Sequence, residues 1–200
     1  TVLGANWDEM PRGLRMAGLL ALTLGTHGLG LRAWLAGKEP RAVGLFLLGN
    51  LFYGAAIILI AQIYHLGEHM PDGVFWWALG SLPFGVLLRN AWLTIFSCLL
   101  ALLWFAMEFG MGFFPTLFPV FIAAAVYVLV KGRASTLLFM TTATSIGFYI
   151  EALLGVFWSP GRHRPDVEAE HLLVSVALFV FAYALSQWMH ARDSVTAKDY

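Results

Sequence analysis

Between Met16 and His190 the chain runs through seven stretches dominated by apolar side chains, divided by short polar breaks. They are Met16–Ala36, Ala42–Leu66, Val74–Leu88, Ala91–Phe109, Phe113–Val130, Ala134–Trp158 and His171–His190. A helix needs about 20 mainly apolar residues to cross about 30 Å of hydrocarbon. In lipid every backbone N–H and C=O must be satisfied internally, and no alternating barrel pattern is present, so these stretches must be helices. The expected fold is therefore all-α: a polytopic integral membrane bundle of about seven transmembrane helices, in the range of six to eight, forming one domain over residues 1–200. The balance of residue types agrees, because only 12% are charged and 60% are hydrophobic, against about 25% charged in soluble domains.

The breaks are chemically distinct. Lys38-Glu39-Pro40-Arg41 closes the first stretch, Gly67 to Gly73 the second, Arg89-Asn90 the third, Lys131-Gly132-Arg133 the fifth, and the long polar run Ser159 to Glu170 the sixth. Asn90 to Val130 carries a single charge, Glu108. As one helix it would extend about 60 Å, so it must turn, and Gly110-Met111-Gly112 with Pro115 is the natural place. Val74–Leu88 is short for a span and is expected to tilt little, to extend into Pro71–Gly73, or to be re-entrant.

Alternating spans place Arg12, Arg15, Arg162 and Arg164 on the side of the N-terminus. Arg32, Lys38, Arg41, Arg89, Lys131, Arg133, Arg192 and Lys198 fall on the other side. The positive-inside rule makes that second side cytoplasmic, with the C-terminus on it. Thr1-Val2-Leu3-Gly4-Ala5 reads as the tail of a preceding helix, so an N-terminal helix or region is expected to be missing; no signal-peptide pattern is visible.

Ala5-Asn6-Trp7-Asp8-Glu9-Met10-Pro11-Arg12, then Gly54-Ala55-Ala56-Ile57-Ile58-Leu59-Ile60-Ala61-Gln62-Ile63-Tyr64-His65-Leu66, then Trp77-Ala78-Leu79-Gly80 form three blocks. In this order they resemble the bacterial predicted membrane protein family known as domain of unknown function 2157, over roughly the first half of the chain. The resemblance implies a polytopic bacterial inner-membrane protein, often with a polar region ahead of the helices. It implies no activity.

Ionisable side chains at membrane depth are costly and point to function. Here they gather toward the outer side. His65, Glu68 and His69 end the second stretch; Glu108 ends the fourth; Glu151 lies within the sixth; His171 opens the seventh, beside Glu170. Asp8, Glu9 and His163 lie on the same side, where the headgroup layer tolerates charge without a role. Imidazole and carboxylate are the common ligands of zinc and copper and the common proton carriers. A polar pocket is therefore expected around Glu151, Glu108, Gln62, His65 and Asn50. A metal set would draw on His65, His69, Glu68 and His171. Gln62, His65 and Asn50, with Tyr53 and Tyr64, are read as one polar seam on the second helix, against the plainer reading of hydrogen bonds between helices. Glu151 is embedded between Phe148-Tyr149-Ile150 and Ala152-Leu153-Leu154 and is the leading inward-facing candidate.

His65-Leu66-Gly67-Glu68-His69 spells the inverted zinc-protease pattern, which requires both histidines on one helical face. Gly67 and Pro71 argue that the helix ends there. His27, flanked by Gly25, Gly28 and Gly30, is a candidate cofactor ligand, a haem reading that lacks a second His at its depth; a hydrogen bond to a neighbouring helix is the plainer account. The sequence requires no cofactor. It holds no Walker loop, no dinucleotide fingerprint, no paired cysteines (Cys98 stands alone) and no lysine in its last helix for a retinal. Twelve basic residues balanced by twelve acidic ones form no basic stripe, which excludes a nucleic-acid partner. The expected partners are the lipid bilayer and other membrane subunits or further copies of the chain. The leading expectation is a non-enzymatic transporter-like or accessory subunit of the inner membrane. The alternatives are a metal- or haem-binding protein of a redox or metal-handling complex, and a membrane zinc protease.

Overall fold

The structure, a computed structural model, describes the backbone of residues 11–64, 69–158 and 169–196, and the side chains of 11–62, 69–156 and 173–188. Seven helices account for nearly all of the described residues, with no strand among them: α1 Arg12–Leu35, α2 Glu39–Tyr64, α3 Met70–Leu88, α4 Ala91–Gly110, α5 Phe118–Lys131, α6 Thr136–Trp158 and α7 Ala169–Thr196. The expected helical tail at residues 1–5 lies outside the described residues. Among the described residues three stretches, Glu39–Gln62, Ala91–Gly110 and Thr136–Val156, are long and apolar enough to cross a membrane. Leu24, Leu35, Leu87, Val130, Leu173, Phe179 and Phe181 stand exposed on the bundle. An apolar surface of this extent on a helical bundle is what lipid covers. The chain is an all-helical membrane bundle.

Two boundaries differ from the sequence reading in ways that matter. The third helix extends back through Pro71 to Met70 and reaches 19 residues, about 28 Å. Proline at its second position carries no N–H to leave unsatisfied, so the helix can begin there. The fifth helix starts at Phe118, not Phe113, and has only 14 residues. Its expected first turn is taken up by the reversal after α4. Gly112 adopts φ +88°, its N–H donates to the Phe109 carbonyl, and the Phe113 N–H donates to the Glu108 carbonyl at 2.9 Å. This left-handed closure satisfies the last carbonyls of α4, and Pro115 then prevents immediate resumption.

Helix α4 is the hub, packing on α2, α3, α5 and α6. Its tightest partner is α3. The Asn90 side chain accepts from the N–H groups of Trp92 and Leu93 and so caps α4, while Arg89 takes φ +48° to reverse the chain. Across this hairpin a Cβ at Gly85 would sit 2.5 Å from Thr94 Oγ1 and 2.8 Å from its backbone nitrogen. The Ser97 hydroxyl donates to the Ala78 carbonyl at 2.7 Å. Close approach at small residues with hydroxyls bridging the helices is how bundles associate where lipid is as apolar as the side chains. The main core is aromatic: Trp104, Phe105, Phe118 and Phe121 pack around Ala78, Leu100 and Ala101.

Candidate functional site

Three polar centres emerge, each built by a different set of helices. The first lies where α3 begins and α4 ends. His69 stands just ahead of α3 with extended backbone (φ −137°, ψ 91°). Glu108 lies two residues before the end of α4 and is 8% exposed. The two meet with His69 Nε2 3.0 Å from Glu108 Oε1. One turn earlier on α4, the Trp104 indole N–H donates to the same oxygen at 3.1 Å. The Phe113 ring, placed by the turn after α4, meets the His69 ring edge-on at 5.4 Å. Asp72, in the first turn of α3, completes a group in which one ligand atom from each of His69, Asp72 and Glu108 lies within 4.8 Å of the others. Asp72 is exposed, His69 half-buried and Glu108 buried.

This arrangement has the parts of a cation site. Tetrahedral zinc with ligands at about 2.0–2.2 Å holds ligand atoms about 3.3 Å apart; the His69–Glu108 separation of 3.0 Å is near that, and the group as a whole lies within 4.8 Å. The Trp104 N–H orients the carboxylate as an outer partner should. Asp72 also complements the N-terminus of α3, a role it has without any ion.

The second centre joins α1, α2 and α3 at mid-helix. His27 Nδ1–H donates to the Thr23 carbonyl at 2.7 Å, and His27 Nε2 lies 3.2 Å from Asn50 Oδ1. Asn50 is completely buried, and its Nδ2 has no partner. With Nδ1 as the donor, a neutral ring offers only an acceptor at Nε2. An Asn50 amide turned to present Nδ2–H there satisfies both groups at once. The Trp77 indole N–H donates to the Asn50 backbone carbonyl at 2.8 Å. The glycines that permit this closeness are on α2, not beside His27. A Cβ at Gly49 would lie 2.6 Å from the His27 ring, and one at Gly54 2.2 Å from Trp77, while Gly25 and Gly28 face open space. Both His27 nitrogens are engaged, so a haem iron there would have to displace Asn50 or Thr23.

The third centre joins α6 to α7. The Ser175 hydroxyl donates to Glu151 Oε1 at 2.7 Å. Glu151 lies on the wall of a cavity of about 770 Å³ between α4, α6 and α7.

The residues expected to share one outer pocket are thus distributed. Glu108 joins His69, Glu151 faces a separate cavity, and Asn50 turns to His27. Of the seam on the second helix, Asn50 and Gln62 lie about 120° apart, since twelve residues turn about 100° each, with Gln62 exposed and Asn50 buried; the side chain of Tyr64 lies outside the described residues. His65 and Glu68 lie outside the described residues, as do Asp8, Glu9 and His163; the side chains of Glu170 and His171 do too. The single helix that the zinc-protease pattern needs is broken, because His69 is in extended backbone ahead of a new helix. Asp72 and Trp104 were not singled out from the sequence. Asp72 stands three residues after His69, a spacing that would have flagged it.

No curated protein and no solved structure matches the chain. Its first 94 residues, from the stretch ahead of α1 to the first turn of α4 and including His27, Asn50, His69 and Asp72, match the family described as "Predicted membrane protein (DUF2157)".

Proposed function

We propose that the protein is a multi-pass protein of the bacterial inner membrane that takes up a small divalent cation at its outer face, as a transporter-like or accessory subunit of a metal-handling system. The observation that carries this reading is the convergence of His69, Asp72 and Glu108 within 4.8 Å across the junction of α3 and α4. A buried carboxylate near the membrane surface is costly and calls for a partner. His69 supplies one as a hydrogen bond, and a cation would replace it by direct coordination from both groups. Asp72, being exposed, gives the ion its first contact from water. The basic residues favour the opposite side as cytoplasmic, which puts this junction outside and the C-terminus inside.

The test is metal titration of the purified chain in detergent with Zn²⁺, followed by calorimetry. The expectation is one saturable site that His69→Ala and Glu108→Gln each weaken by about 10- to 100-fold or more, as loss of a metal ligand does at the least. Stoichiometric binding that survives both substitutions, or no binding in the wild type, sinks the reading. Topology is checked separately with C-terminal reporter fusions, which should be active only in their cytoplasmic form.

A further inference from the structure

The cavity beside Glu151 is independent of the cation site. Phe105 and Phe109 line it from α4, whereas Glu108, between them in sequence, points to the opposite face of that helix toward His69 and Trp104. Its volume of about 770 Å³ falls within the range of about 300–1,000 Å³ typical of small-molecule sites. Small residues create the space. A Cβ at Gly110 would meet nothing within 4 Å, and one at Gly147 only Leu178 Cδ1 at 3.9 Å. These glycines therefore do not serve close helix packing, unlike Gly49, Gly54 and Gly85. Phe148, Phe179 and Tyr183 at the rim are each more than half exposed, so the cavity opens sideways through the surface that lipid covers.

The wall is apolar and aromatic, with one carboxylate braced by the Ser175 hydroxyl. A carboxylate can accept several partners at once. In an apolar surround it favours an occupant that brings positive charge and repels one that brings negative charge. Aromatic faces attract the same charge. Lateral entry from lipid selects for a molecule that partitions into the membrane.

We propose that this cavity binds a lipophilic organic cation, with Glu151 as its counter-charge and the phenylalanine faces as its walls. The probe is tetraphenylphosphonium, measured by equilibrium dialysis against the full chain in detergent micelles. Its anionic counterpart of the same shape, tetraphenylborate, is the control, and comparing variants in the same micelles cancels partitioning into detergent. Saturable tetraphenylphosphonium binding is expected, weakened about tenfold or more by Glu151→Gln, the scale of losing a desolvated charge partner. Tetraphenylborate binding should not weaken in that variant. Gly147→Leu fills the cavity from a position with room for a side chain, so it should abolish saturable cation binding while helicity and melting temperature stay at wild-type values. Non-saturable binding to the wild type, or equal affinity in Glu151→Gln, overturns the proposal. So does undiminished binding in Gly147→Leu, which remains informative if Glu151→Gln fails to fold. Glu151 would then be no more than a brace between α6 and α7.

Discussion

His69 and Glu108, thirty-nine residues apart in the chain, meet at 3.0 Å because a proline-started helix and a left-handed helix end face each other at one corner of the bundle. Glu108 is the single charge between Asn90 and Val130, so no partner for it is near in sequence. The contact exists only because α3 and α4 form a tight antiparallel hairpin whose open end brings the start of one to the end of the other.

That contact has a stability consequence apart from any ion. Glu108→Leu removes the carboxylate but leaves His69 and the Trp104 N–H without their acceptor. Loss of about 1–3 kcal/mol is expected, the cost of orphaning buried polar groups. Adding His69→Leu should recover part of it, because the pair is then removed together. Unfolding in graded denaturing detergent measures all three variants, and strict additivity of the two single effects would deny the coupling.

The His27–Asn50 pair makes a similar prediction in the first half of the chain. Asn50→Leu strands His27 Nε2 and should cost about 1–3 kcal/mol. Asn50→Asp should be worse, since it offers only acceptors to a ring whose Nδ1–H already serves Thr23. An Asn50→Asp variant as stable as wild type would deny the Asn50–His27 hydrogen bond.

Glycines on one helix should differ sharply. Gly54→Ala drives a methyl group to 2.2 Å from Trp77 and displaces an indole whose N–H is committed to Asn50, whereas Gly44→Ala meets nothing within 4 Å. The first should destabilise by about 1–3 kcal/mol, and the second should be neutral or slightly stabilising. Thermal melts of both variants, with Trp77 fluorescence as the local probe, decide the point. Equal effects would mean that α2 and α3 are not packed as described.

Cys98 is 2% exposed, with its sulfur 3.9 Å from the Phe121 carbonyl. A membrane-permeant maleimide should label it far more slowly in the folded bundle than after denaturation, since reaction needs the thiolate and access to it. Labelling at the same rate in both states would place Cys98 at the lipid surface instead of between α4 and α5.

Most of the architecture was legible in the chain because lipid allows so few solutions. Long apolar stretches must become helices, and Lys38 to Arg41, Arg89-Asn90 and Lys131 to Arg133 leave no doubt where they end. The turn after Gly110 was also readable, from glycine and proline. Its length was not, because the structure starts the next helix only at Phe118 and leaves the largely apolar residues 113–117 outside it. Apolar character marks membrane depth, not secondary structure.

The sites divide along the same line. Composition and spacing alone determined that this is an all-helical membrane chain, that Glu108, Glu151, His27 and His69 are its costly residues, and that it carries no nucleotide or paired-cysteine motif. Which of these residues share a centre was decided by rotation and packing of helices far apart in sequence. A helix pattern shows how deep a side chain lies but not which neighbour it faces, since every face is apolar when lipid surrounds the bundle. Only the tertiary structure turned Asn50 to His27, Glu108 to His69, and Glu151 into the cavity with Ser175. The physical reason is that the first two contacts depend on close approaches at Gly49, Gly54 and Gly85, whose partners lie on other helices, and the third on how α7 lies against α6.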